Sequence, residues 1–274
     1  RGPIGPICPI MGKRVSDRNQ KEREVSVKIG VSDRTWRKQA QLRNAYEQLS
    51  DIYRDEEEVV YVDCCAGPGK YGEHEGSPVI FRDIMGEAGV DVKGYLFEKD
   101  KVASNLLADV FRGSEWDIWN ADYRKVLGTH VLPDAHNLRG LIYIDPNGPG
   151  DIDLELIGEF LEIQHRMDVL IHVSDTAVLR CAGSGSIDWN VTDIPGFITR
   201  YNWSVSDRVK GDKAKWAFVM GTVKETRLRF SGSIPIYGPM DMIWEILAGK
   251  PMKRSVYEAG FETDELRNAA DSHG

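Results

Sequence analysis

The feature that most constrains this chain is the run Val59-Val60-Tyr61-Val62-Asp63-Cys64-Cys65-Ala66-Gly67-Pro68-Gly69. β-Branched and aromatic residues lead into an acid, and a glycine-rich turn follows at once. A short apolar run bounded by Gly and Pro is the pattern of a buried strand. Gly67 and Gly69 carry no Cβ, so the turn can take tight geometry and approach a ligand closely. Asp63 falls at the carboxyl end of the strand, where open α/β sheets bind their ligands. An acid followed by Gly-x-Gly at this point is the pattern of a nucleoside-binding sheet.

Two other glycine loops are weakened by the residues present. A Walker loop reads G-x-x-x-x-G-K-[ST]. Here Gly69-Lys70 is followed by Tyr71, and position 64 is Cys instead of Gly. The dinucleotide fingerprint G-x-G-x-x-G is met by Gly67, Gly69 and Gly72. With 27 glycines in 274 residues such a match arises easily by chance, so the other strand ends must decide.

Those ends carry acids in order. Ser77 is a candidate cap and Pro78 a candidate first-turn residue for a helix running through Ile80, Ile84 and Met85. Residues 93–98 predict a second strand ending in Glu98, where an acid can accept both hydroxyls of a ribose. Residues 100–111 predict a helix with Val102, Leu106 and Val110 on one apolar side. Residues 116–119 predict a third strand, followed by Asp122, which can accept from the exocyclic amine of an adenine. Residues 140–144 predict a fourth strand that runs into Asp145-Pro146-Asn147-Gly148. A helix over 151–165, a strand over 168–174 and an antiparallel pair over 203–209 and 215–223 complete the expected sheet.

Composition bounds the remainder. At 41% apolar and 28% charged, the chain has the make-up of a soluble globular protein. No apolar run approaches the roughly 18 residues needed to span a bilayer. No signal-peptide pattern opens the sequence. Cys8, Cys64, Cys65 and Cys181 lack metal-ligand spacing, and His74 has no second ligand at helical spacing. No metal site is therefore expected, and a reduced, cytoplasmic setting is. The net charge of −8 argues against nonspecific coating of nucleic acid. That charge is uneven, however. Residues 1–54 hold 12 Lys or Arg against 6 Asp or Glu, a net of +6, which leaves −14 for the rest. A basic amino-terminal segment on an acidic body suggests a segment that meets an anion; the alternative is a solvated helical surface.

The basic segment has a pattern of its own. Val25 and Ile29 share a helical face, Gly30-Val31-Ser32 reads as a turn, and Ser32 or Asp33 can cap a second helix through Trp36, Ala40 and Leu42. The string from Arg23 to Arg37 resembles the helix-turn-helix of DNA-binding regulators. That resemblance implies a second helix in the major groove, with Arg34, Arg37 and Lys38 on it. A helical hairpin that only packs on the sheet remains open.

Taken together, the acidic Gly loop, the acid after strand two, the Asp after strand three and the Asp-Pro after strand four resemble the class I S-adenosylmethionine-dependent methyltransferases over about residues 58–223. Within that class the chain is similar to the three-Cys-motif partner family. That likeness rests on the tyrosine-bearing strand, Ala66-Gly67-Pro68-Gly69, Gly76-Ser77-Pro78 and Ile144-Asp145-Pro146, with Asn147 where the family usually has Phe. The resemblance implies a Rossmann-like α/β sheet with helices on both faces. It implies S-adenosylmethionine bound by Asp63, Ala66, Gly67, Pro68, Gly69, Glu98 and Asp122. The amino-methylating enzymes of nucleic acids carry [DNS]-P-P-[YFW] at this loop. There the acid and the first Pro carbonyl accept from the target amine, and the aromatic stacks on a flipped base. Asp145, Pro146 and Asn147 stand in that place as candidate catalytic residues, without the second Pro or the aromatic. Tyr71, Tyr123 or Trp189 are candidates to supply stacking from elsewhere. A Pro-Cys pair, needed for cytosine C5 chemistry, is missing from the loop.

The expected organisation is an arm over 1–20, a helix-turn-helix-like segment over 21–54, a methyltransferase-like domain over 55–232 and a helical extension over 233–274. Three functions stay open at this point: methylation of an exocyclic base amine with DNA as the favoured partner, methylation of a protein or small molecule, and a cofactor-binding module without turnover.

Overall fold

The computed structural model describes residues 35–128, 138–146, 148, 151–174, 201–206, 209–210, 215–223 and 234–236. Helix α1 spans Thr35–Tyr53, strand β1 Val59–Asp63, and a two-residue hairpin follows as β2 (Lys70–Tyr71) and β3 (His74–Glu75). Then come α2 (Ser77–Glu87), β4 (Val92–Phe97), α3 (Lys101–Val110), β5 (Asp117–Trp119) and α4 (Tyr123–Val126). The chain continues through β6 (Gly140–Ile144), α5 (Leu154–Ile163), β7 (Met167–Ser174), β8 (Tyr201–Val205), β9 (Val209–Lys210), β10 (Lys215–Val223) and β11 (Ile234–Ile236).

The main sheet is ordered β11-β8-β10-β7-β6-β1-β4-β5, with β9 also on β10. Strands β5, β4, β1, β6 and β7 are parallel, while β10 is antiparallel to both β7 and β8. From β1 the chain moves to β4 and β5 on one side, then crosses to β6 on the other. Strand order therefore reverses at β1, and the crevice outside the carboxyl ends of β1 and β6 is where such sheets bind ligands. The architecture is the expected Rossmann-like α/β sheet with helices on both faces.

Period-two alternation explains the layering. Every residue of β1 is buried, as in a strand covered on both sides. Val59 and Tyr61 face a core that holds Leu42, Tyr46 and Leu49 of α1 and Ile80, Phe81 and Met85 of α2. Val60 and Val62 face the other core, with Ile157, Phe160 and Leu161 of α5. Helix α1 is thus part of the domain's own core. Tyr46 packs edge-on against Tyr61, Phe81 and Tyr143. At the amino-terminal ends of β6 and β7 Tyr53 donates to the buried Asp168 at 2.8 Å, and the Arg139 guanidinium lies over the Tyr53 ring.

Several local expectations are corrected. Gly72 sits at the β2–β3 turn with φ +60°, well before α2 begins, so the dinucleotide fingerprint is not realised. Ser77 does not cap α2: Gly76 holds the cap position, and the Ser77 hydroxyl donates to Asp63 Oδ2 at 2.7 Å. In α3 the buried side chains are Ser104 and Leu107, while Val102 and Leu106 are 41% and 38% exposed. Val110, the third residue of the expected stripe, packs inward beside Gly69 together with Leu107, while Val102 and Leu106 face outward. The helix expected over 151–165 starts at Leu154, because Asp153 Oδ1 accepts from the Leu156 amide at 3.0 Å and caps it. Of the expected helix-turn-helix, α1 is the second helix; its first helix, the turn and Arg34 lie outside the described residues, as do the 1–20 arm and residues 237–274.

Candidate active site

The glycine loop needs two positive-φ residues, and both expected glycines supply one: φ is +61° at Gly67 and +74° at Gly69. Space reinforces conformation. A Cβ on Gly67 would lie 2.6 Å from the Tyr71 hydroxyl, and one on Gly69 would lie 3.0 Å from Leu107 Cδ1. The loop is closed by Gly76 N–H donating to Gly69 O at 2.7 Å and anchored by Ala66 N–H donating to Phe97 O at 3.0 Å. Pro68 is half-buried between them.

Asp63 shapes this loop from below. It is fully buried, and its carboxylate accepts from the Cys65 amide (3.0 Å), the Tyr61 hydroxyl (2.9 Å) and the Ser77 hydroxyl (2.7 Å). Burial pushes its pKa up to about 7 against the pull of those donors. Asp63 therefore ties β1, the loop and the start of α2 together from beneath the crevice floor.

Glu98 is at the crevice. Its Oε2 accepts from Gly67 N–H at 2.9 Å and its Oε1 from Asp100 N–H at 2.7 Å. The glycine loop after β1 and the acid after β4 are thus in direct contact. Asp122 lies after β5 and caps α4 through the Arg124 amide. The Arg124 side chain also forks onto both its oxygens, at 3.0 and 2.6 Å. These bonds hold the Asp122 carboxyl below its usual range.

Asp145 follows β6. One oxygen accepts from His172 Nδ1 at 2.8 Å; the other pairs with the Lys38 ammonium from the first turns of α1. Burial opposes its charge, but Lys38 and His172 overcome it and keep the carboxyl well below the usual range. His172 lies on β7 between the rings of Trp216 and Phe218, with centroids 5.2 and 5.3 Å away. Burial, aided by Lys38, lowers its pKa despite Asp145. Its Nε2 is buried with no hydrogen-bond partner. Burial and the Nδ1 contact with Asp145 favour the neutral imidazole with its proton on Nδ1.

Among the expected site residues, the structure brings Ala66, Gly67, Pro68, Gly69, Glu98 and Asp145 to one sheet edge, with Pro146 half-buried beside Asp145. Asp63 lies beneath them. Asn147 and Trp189 lie outside the described residues. Tyr123 is buried, donates to Asp151 O and accepts from Asp153 N–H, so it has no open face for stacking. Tyr71 is half-exposed beside Gly67. Arg37 lies over the exposed Trp36 ring at 5.2 Å. The cluster missed from sequence is Lys38–Asp145–His172. His172 stands in a strand run with no local signal, and Lys38 is 107 residues from its partner. Among the described residues no cluster of His, Cys, Asp or Glu could hold a metal ion, and no helix is long and apolar enough to cross a membrane.

No family model matches the chain, and no curated protein does. Solved structures with a similar fold include three at low identity. Protein LPL1258 from Legionella pneumophila is 13% identical, with 65% of this chain and 82% of that one covered at a TM-score of 0.47. An rRNA methylase from Streptococcus thermophilus is 15% identical, with 65% and 93% covered and a TM-score of 0.43. The plantazolicin methyltransferase BpumL in complex with SAH is 10% identical, with 76% and 91% covered and a TM-score of 0.40. At these scores the fold assignment rests on the strand order and directions of the chain itself.

Proposed function

We propose that this chain is an S-adenosylmethionine-dependent methyltransferase acting on an exocyclic amine of a nucleic-acid base, with DNA the favoured partner. The observation that carries the cofactor assignment is the contact between Gly67 N–H and the Glu98 carboxylate at the strand-order reversal. That contact joins a side-chain-free backbone ledge to an acid with lone pairs left for ribose hydroxyls. The residues present fit the nucleoside: Gly67 and Gly69 supply the positive φ the loop needs, and Asp63 holds the ledge in shape. Asp122 is the acceptor for the adenine amine in this reading, with Arg124 fixing its orientation.

When bound, S-adenosylmethionine supplies an electrophilic methyl group on a sulfonium. The protein's part is to place a nitrogen lone pair on the methyl–sulfur axis, about 3 Å away. Asp145 and the Pro146 carbonyl do this as acceptors for the amine's two hydrogens. Asn147 shapes the following turn or adds a bond to the target. Arg34 and Arg37, with Lys38, meet the phosphates or base edges of the nucleic acid. The exposed Trp36 with Arg37 over it offers a face on which a base can stack.

Two measurements test this. Glu98→Ala should weaken S-adenosylmethionine binding by about 1–3 kcal/mol in calorimetry; unchanged affinity in both Glu98→Ala and Gly67→Val rejects the cofactor site. Radiolabelled methyl transfer to DNA, RNA and protein, followed by digestion, identifies the acceptor. On that acceptor Asp145→Ala should abolish turnover with the cofactor still bound, and a variant as fast as the parent removes the role given to this loop.

A further inference from the structure

Of the two donors on Asp145, one is fixed and one can leave. His172 is embedded in the middle of β7, in register with Phe218 on β10, and walled by the rings of Trp216 and Phe218. Its Nδ1–H cannot swing away without repacking the sheet face. Lys38 has a single long stem, projects from the first turns of α1 and is 25% exposed. An amine arriving at Asp145 as a donor finds Oδ1 held by the fixed imidazole and Oδ2 holding the mobile ammonium. Each oxygen keeps a lone pair, but the ammonium's charge weakens Oδ2 as an acceptor for an amine, and of the two donors only Lys38 can move off.

Moving Lys38 is costly unless its charge finds another partner, because it would leave a part-buried carboxylate with one cation fewer. A neutral nucleoside supplies no such partner. A phosphodiester does, and the ammonium is a compact point charge suited to it. We propose that Lys38 is a gate: it remains on Asp145 until a phosphate of the substrate draws its ammonium away, and only then does Oδ2 accept the target amine. Lys38 is thereby a specificity-determining residue that restricts the site to phosphate-bearing acceptors. This rests on the methyl-transfer reading above, but the gate can be observed without turnover.

The reporter is His172. The charged groups facing it are Asp145 from the loop after β6 and Lys38 from α1, while β10 presents the Trp216 and Phe218 rings. With Lys38 withdrawn, the imidazole is the remaining cation-former beside Asp145, so its proton affinity rises.

The test is a nuclear magnetic resonance titration of the His172 imidazole in the whole chain, assigned with His172→Asn. Lys38→Met, checked for fold by circular dichroism, should raise the titration midpoint by about one unit or more. A saturating single-stranded DNA oligonucleotide should move the parent's midpoint up toward the Lys38→Met value, inorganic phosphate should move it part of the way, and a nucleoside should leave it unchanged. An RNA oligonucleotide serves as a second polyanion. If neither oligonucleotide nor phosphate moves the midpoint, the gate is overturned, whatever Lys38→Met does. If the nucleoside moves it as far as the oligonucleotide, the gate does not read phosphate and the substrate restriction is lost. A Lys38→Met midpoint equal to the parent's shows that Lys38 does not hold Asp145 in solution, which also ends the proposal. Failure of S-adenosylhomocysteine to bind in calorimetry would instead remove the methyl-transfer reading, and leaves each of these titrations interpretable.

Discussion

Asp63 shows how one residue serves the fold at the site's edge. Its carboxyl is fully buried with three donors on it, and burial still raises its pKa to about 7. The folded-state value lies above the ordinary carboxylate value of about 4. Between pH 4 and 7 the folded chain therefore binds more protons at Asp63 than the unfolded chain does. Stability from this group is full below about pH 4 and is lost as pH rises through about 7. Asp63→Asn removes that titration. The stability of the parent relative to Asp63→Asn, measured by urea unfolding at several pH values, should fall by up to about 4 kcal/mol from pH 4 to pH 7.5. A difference that is flat with pH excludes a proton on Asp63. His172 acts in the opposite direction: its folded-state pKa is lowered, chiefly by burial, so its contribution is lost as pH falls below its unfolded value of about 6.5.

At the scale of elements, helix α1 is the one whose assignment changes most. The sequence places Trp36, Ala40 and Leu42 on a helix, and the structure extends it to Tyr53 with Leu42, Ala45, Tyr46, Leu49 and Tyr53 buried in the sheet's core. Leu49→Ala should therefore cost about 2–5 kcal/mol, as a large-to-small change in a packed core does. A loss under 1 kcal/mol by denaturant unfolding would mean that α1 is only an attached segment. Elements whose signals are local were legible from sequence. The β1 run and its glycine loop, the acid after β4 and the Asp-Pro after β6 each combine an apolar stretch with a terminating residue, and each stands where expected. What was not legible depends on which surface an element meets. Helix α3 offered Val102, Leu106 and Val110 as its apolar stripe; Val110 does pack inward beside Gly69, but Leu107 joins it there while Val102 and Leu106 face outward. Ser77 has the chemistry of a cap, yet a buried carboxylate fourteen residues earlier claims its hydroxyl. Lys38 and His172 reach Asp145 only after α1 and β7 have packed beside β6, so no spacing in the sequence connects them.

For the whole molecule the distribution of charge carries the argument. The net of +6 over residues 1–54 against −14 elsewhere gives the chain a basic end on an acidic body. Lys38 places part of that basic end beside Asp145, and Arg37 precedes it on α1 over the exposed Trp36 ring. A polyanion should then be held at this end and repelled from the rest, so binding should be local and steeply salt-dependent. Each Lys or Arg that neutralises a phosphate releases a counterion, and the slope of log affinity on log salt records their number. Replacing Arg34, Arg37 and Lys38 by Ala together should weaken DNA binding and flatten that slope by about two or three. Charge-reversed surface variants on the acidic body, such as Asp109→Lys, should change the slope little, because Asp109 lies in α3 rather than in the basic end. The measurement is fluorescence anisotropy of a labelled oligonucleotide across a salt series. A triple variant that keeps the parent's affinity and slope, with its fold intact by circular dichroism, assigns α1 to packing alone and moves the search for the substrate to molecules without a phosphate backbone.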